Sequence, residues 1–283
     1  MFPEMLEFHV ARAVNNGVKW LLHSYAPAFD SFSAGILGLL LWIQSVLFVI
    51  PWWAYIAFIA VMAWIATKKL IPTIVLAAMP MFIGVFGLWS LALETLAIVI
   101  ASVVLALAIG IPLGILMAEI KMFSWFLAPV LDAMQTMPSF VYLIPAMMLF
   151  GLGKVPAVLA TLIYALPPVI RLTCLGLQQV PKPVQEAARA YGATRWQLLK
   201  EVRVPLAMPS ILAGVNQTTM MALAMVVIAS MIGARGLGQE VLMAINRIDV
   251  GRGFEAGISI VIMAIVIDRI TQGMARRFEP HKR

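Results

Sequence analysis

LALETLAIVIASVVLALAIGIPLGILM, Leu91 to Met117, decides the fold: 27 residues carry one charged side chain, Glu94. A helix needs about 20 mostly apolar residues to cross bilayer hydrocarbon, so this run reads as a membrane span. Gly110 and Gly114 form a GxxxG pair around Pro112, which reads as close helix packing with a kink. Outward from it, comparable runs lie at Pro51–Thr67, Leu70–Trp89, Phe126–Phe150, Val155–Leu177, Pro209–Ile232 and Phe254–Thr271. The expectation is an all-α polytopic membrane protein with about seven transmembrane helices. An eighth crossing would come from the apolar stretch Ser33–Ile50, which reads first as a dipping or interfacial helix.

Composition points the same way. The 283 residues are 63% hydrophobic and 12% charged, with mean hydropathy +0.98, and a soluble domain carries roughly twice that charged share. The net charge of +7 reads as Lys and Arg gathered in loops on one membrane face rather than as a nucleic-acid surface. A lone cysteine, Cys174, excludes an intrachain disulfide and reads as a packing residue.

The first thirty residues carry Glu4 and Glu7 where a secretory signal would be basic, so no cleavable signal is expected. Leu6, Val10, Val14, Val18 and Leu22 recur every fourth residue, the stripe of an interfacial helix. Residues 1–50 then form an amino-terminal arm, 51–90 accessory helices, 91–275 the core with a polar loop at 180–205, and 276–283 a tail. Twelve Lys and Arg fall in the loops at 68–69, 121 and 182–203 and in the tail, against Lys154, Arg235, Arg247 and Arg252 on the other side. The positive-inside rule makes the first set, and the carboxyl terminus, cytoplasmic.

That loop, VPKPVQEAARAYGATRWQLLKEVRVP (Val180–Pro205), reads as two short helices. Pro183 suits a first helical turn, and Glu186 the positive end of the macrodipole. Gly192 can take the left-handed conformation that ends a helix. Thr194 and Gln197 fit a capping box for a second helix, with Leu198, Leu199 and Val202 as its apolar stripe and Pro205 closing it. The small Ala187 and Ala188 would allow close approach to another surface.

Glu186-Ala187-Ala188, three residues, Gly192, nine residues, then Val202-Arg203-Val204-Pro205 resembles the EAA loop of ABC importer permeases, with valine for isoleucine and for leucine. LDAMQTMPSFVYLIPA (Leu131–Ala146), LPPVIRLTCLG (Leu166–Gly176) and GARGLGQEV (Gly233–Val241) resemble the glycine betaine/proline osmoprotectant branch, the likeness running from about Trp89 to Gln272. The resemblance implies a type I importer transmembrane domain in a bacterial inner membrane. It further implies a coupling helix at Glu186, Ala187, Ala188 and Gly192 pressed into a cytoplasmic ATPase, an external substrate-binding protein docking near Arg235 and Arg252, and a permease homodimer.

Asp132, Gln135, Thr136, Met137 and Pro138 read either as lining the translocation path or as a hydrogen-bonded gate. Asn216 and Gln217 read as path residues or as interhelical hydrogen-bonding groups. Asp268 and Arg269 read as a local ion pair or as snorkelling side chains. The segment Gly233–Glu255 reads as a solvated loop. GLGK at Gly151–Lys154 is no phosphate-binding loop, and no metal-ligand or nucleophile motif occurs. The chain is therefore expected to be no enzyme and to hold no cofactor, ATP and magnesium residing on a partner subunit. The rival readings are an ion-gradient-driven secondary transporter and an ABC permease for another small solute such as an amino acid.

Overall fold

The computed structural model describes residues 10–275. Leu6 of the amino-terminal stripe, Glu4, Glu7 and the basic tail at 276–283 lie outside the described residues. Among the described residues the chain is helical throughout, without strands. The helices are α1 (Val10–Val49), α2 (Trp52–Thr67), α3 (Leu70–Val85), α4 (Trp89–Glu119), α5 (Lys121–Thr136), α6 (Leu143–Phe150), α7 (Lys154–Gln178), α8 (Lys182–Ala190), α9 (Arg195–Gln197), α10 (Val204–Ala229), α11 (Leu237–Arg247) and α12 (Val250–Ala275).

α4, α7 and α10 form the centre because small residues let their backbones meet. A Cβ on Gly114 of α4 would stand 2.7 Å from the Ile170 carbonyl of α7, and one on Gly176 of α7 would stand 2.7 Å from Ser210 of α10. Tight approach drives association in lipid, where burial of apolar surface gives no advantage between helices. The expected GxxxG packing is present, but α4 runs through Pro112 without a break. Across the α4–α7 seam, Ser102 Oγ donates to the Val158 carbonyl at 3.2 Å in a buried position.

Every expected span contains a helix, but extents differ: the one expected at Leu70–Trp89 ends at Val85, before a turn at 86–88. α2 and α3 have 16 residues each, about 24 Å at 1.5 Å per residue, short of the roughly 30 Å hydrocarbon. Among the described residues five helical runs are individually long and apolar enough to cross: 13–49, α4, α7, 195–232 and α12. α5 with the segment ending in α6 makes a sixth, bent by 111°. The bend corrects the continuous span expected at Phe126–Phe150. Pro138 forces Met137 out of the helical region (φ −69°, ψ 134°), and a 3-10 turn at Ser139–Tyr142 restarts the chain.

The amino-terminal arm also differs from expectation. The interfacial helix and the dipping helix are one element, α1, kinked at Tyr25 (φ −123°, ψ 18°) just before Pro27. Phe29 and Phe32 pack on Phe150, while Lys154 Nζ donates to Gln44 Oε1 at 3.0 Å. Ile36, Leu40, Ile43 and Leu47 are buried in the main core, so the second half of α1 packs into the bundle. α1 is long and apolar enough to cross a membrane, as the alternative reading of Ser33–Ile50 as an eighth crossing requires.

Candidate coupling loop and embedded polar groups

Val180–Pro205 leaves the bundle at the end of α7 and returns at the start of α10. Pro183 sits in the first turn of α8, as its missing N–H requires. Gly192 takes φ +86°, and the turn behind it closes with Gly192 N–H to Arg189 O (2.9 Å) and Ala193 N–H to Ala188 O (3.1 Å). Such a left-handed stop costs a side-chain-bearing residue about 1 kcal/mol or more. The capping box is present: Gln197 N–H donates to Thr194 Oγ1 at 3.3 Å and Thr194 N–H to Gln197 Oε1 at 2.9 Å. α8 buries nothing fully. Glu186 and Ala187 are exposed and Ala188 half-buried, and Tyr191 (94% exposed) and Trp196 (69%) stand out beside them.

The loop's other end is anchored. Leu198 is buried, and Leu198–Arg203 winds as a π-helix, with Val204 N–H reaching back five residues to Leu199 O. Pro205 therefore does not close the second helix, as expected, but sits inside a helical run from 195 to 232; the widened turn accommodates its ring and missing N–H. Arg203, only 13% exposed, ion-pairs with Glu119 at the end of α4 and donates through its second terminal nitrogen to Leu177 O of α7 at 3.2 Å. Beneath it Leu177, Ala207 and Ile211 form a small apolar cluster. One arginine thus fixes the loop's root to all three central helices.

The polar residues in the membrane segments divide. Asp132, Gln135, Thr136, Met137 and Pro138 lie together, exposed, at the α5 break. Asp132 pairs with Arg171 of α7, Thr136 Oγ1 donates to Ala133 O within its own helix, and the Tyr142 hydroxyl donates to Met134 O across the break. Asn216 belongs elsewhere: its amide donates to Asp268 Oδ1 (2.9 Å) and its oxygen accepts from Thr271 Oγ1 (2.7 Å), tying α10 to α12. Asp268 is thereby engaged with Asn216 and Gln272, not with its neighbour Arg269 as the sequence reading allowed. Gln217 is exposed, on a different face of α10 from Asn216.

Opposite the loop, Gly233–Glu255 is not a solvated loop. Gly236 (φ +147°) lies so close to α4 that a Cβ would stand 2.5 Å from Thr95 Oγ1, which accepts from the Leu237 N–H at 2.8 Å. Leu237 and Ala244 are buried, and α11 packs into the bundle. Arg252 is held by Glu240 (3.0 Å), Glu255 (3.7 Å) and, through its backbone N–H, Asp249 (3.0 Å), whereas Arg235 is exposed. Of the two expected docking residues, Arg252 therefore has a structural task. Sequence reasoning missed Arg171, Glu119 and the anchoring task of Arg203. An arginine inside the apolar run of α7 is costly enough to have marked Arg171.

Residues 110–283 match the model of the binding-protein-dependent transport system inner membrane component family. The chain belongs to that family. Its relatives include the glycine betaine/proline betaine transport system permease protein ProW of Escherichia coli (strain K12), 45% identical over 93% of this chain and 74% of the relative. The glycine betaine transport system permease protein OpuAB of Bacillus subtilis (strain 168) is 42% identical over 94% of both chains. Among solved structures, an inward-facing MetNI methionine ABC transporter matches with TM-score 0.60 at 22% identity, over 66% of this chain and 94% of that one. That likeness shows the fold: an ABC importer transmembrane domain. The chain is a multi-pass inner-membrane transport permease.

Proposed function

We propose that this permease carries glycine betaine or a related small osmoprotectant such as proline betaine or choline, and that a separate ATPase drives it through α8. The observation that carries the reading is the asymmetry of the loop. α8 exposes Glu186 and Ala187, and Tyr191 and Trp196 just beyond it are exposed too, while Arg203 roots the same loop in α4 and α7. A force applied at α8 reaches the central helices through that root. Relatives named for glycine betaine permeases support the substrate class. In this reading ATP and magnesium belong to the ATPase, and the basic loops support a cytoplasmic side for α8 and the carboxyl terminus. A binding protein approaches the opposite end, where Arg235 is free.

The exposed polar break at Asp132–Pro138 and the exposed Gln217 support a homodimer. A second copy facing this one would enclose between them a path that one chain leaves open. The test is uptake of labelled glycine betaine into proteoliposomes holding the permease, its ATPase and its binding protein. Uptake should require ATP and stop when 182–192 is replaced by a Gly/Ser tether. Uptake that persists with the tether, or that follows an ion gradient without ATP, refutes the reading.

A further inference from the structure

At the Arg203 end of the bundle, α2, α3 and α12 line a half-open cavity of about 480 Å³. Val75, Leu76 and Met79 of α3 and Ile265 of α12 supply an apolar wall, and Thr67, Gln272 and two cations, Lys69 and Arg269, supply the polar part of its lining. Among the described residues no carboxylate lines it. The nearest acid in sequence, Asp268, is committed to Asn216 and Gln272. Among the described residues neither cation's side chain makes an ion pair or hydrogen bond. Beside the cavity α12 touches α2, where a Cβ on Gly273 would come within 2.8 Å of the Ala66 Cα. The turn that delivers Lys69 is strained, since Lys68 adopts φ +51°, where glycine or asparagine would cost less.

Two unpaired cations above an apolar slot, at the ends of helices whose other faces expose Trp64, Ile71 and Phe82, match one ligand chemistry: a phosphate joined to a hydrocarbon chain. Arginine grips phosphate oxygens through two parallel N–H donors, and lysine adds a point charge. A zwitterionic headgroup would bring its own cation against these two, so the site selects a net negative lipid. We propose that the cavity binds one anionic phospholipid, its phosphate between Lys69 and Arg269 and an acyl chain along Val75, Leu76 and Met79. The bound lipid would brace α2 and α3 against α12, which Asn216 and Thr271 already tie to α10. The proposal needs only that the bundle sits in a bilayer, so it stands or falls independently of the substrate and of the ATPase.

The full-length chain is exchanged into nanodiscs of equal phosphatidylglycerol and phosphatidylcholine, re-extracted, and its retained lipid counted by native mass spectrometry. The intact chain should keep one phosphatidylglycerol in preference to phosphatidylcholine by about tenfold or more, as two headgroup-facing cations warrant. Lys69→Gln with Arg269→Gln should bring the two lipids to parity. Val75→Trp should fill the slot and remove the retained lipid with both cations in place, circular-dichroism melting confirming that each variant is folded. Equal retention of both lipids by the intact chain, or an unchanged preference in the double variant, overturns the proposal. Displacement of the lipid by millimolar inorganic phosphate overturns it too, because the site would then serve a free anion.

Discussion

The two ends of α10 carry connecting segments of opposite character. At one end Val180–Arg203 projects α8 into water with no fully buried side chain and with two aromatic rings exposed. At the other, Gly233–Asp249 folds back until Gly236 touches Thr95 and Leu237 is sealed in the core. The second segment is part of the fold; the first hangs from it by Arg203. Burial, rather than loop length or charge, separates what the bundle needs from what a partner is to meet.

Substitutions can break that contrast, beginning with the greatest loss of stability. Gly236→Val sets a branched side chain at φ +147° against Thr95, combining strain with overlap, and should cost about 3 kcal/mol or more; thermal unfolding in detergent and membrane yield would show it. Arg203→Met should cost about 1 kcal/mol, because Glu119 is 42% exposed and recovers water. Its main effect should be fewer solutes moved per ATP hydrolysed. Exchanging the charges, Arg203→Glu with Glu119→Arg, should restore part of that ratio, and no recovery would remove the anchoring role. Arg252→Ala should lower stability by about 0.5–1 kcal/mol through the pair with the largely sheltered Glu240, while Arg235→Ala should stay within about 0.5 kcal/mol and weaken binding-protein affinity. Ala187→Arg should change the melting temperature least, within about 0.5 kcal/mol, yet abolish ATPase association in a pull-down. If it unfolds the chain instead, the contrast between the two ends fails.

What the sequence disclosed was local. Pro183, the Gly192 stop and the Thr194–Gln197 box act within four residues, so their chemistry could be read directly. The apolar runs gave the helices for the same reason. The long-range pairs stayed hidden: Arg203 meets Glu119 across 84 residues, Asn216 meets Asp268 across 52, and Arg171 meets Asp132 across 39. No spacing rule encodes such partners, because helix packing chooses them. GARGLG misled for a related reason. Glycines that permit a solvated turn also permit a backbone to press against another helix, and only the presence of Thr95 opposite decides between the two.

The π-wound turn at Leu198–Arg203 has a geometric corollary for the junction it occupies. A wide turn advances less per residue, in angle and in height, than the ordinary helix on either side. Rewinding those six residues to α-helical pitch would swivel everything before Leu198 by about 100° around the axis of α10 and lift it by about 2 Å. Every residue would stay helical throughout, so the junction could act as a pivot that turns without melting.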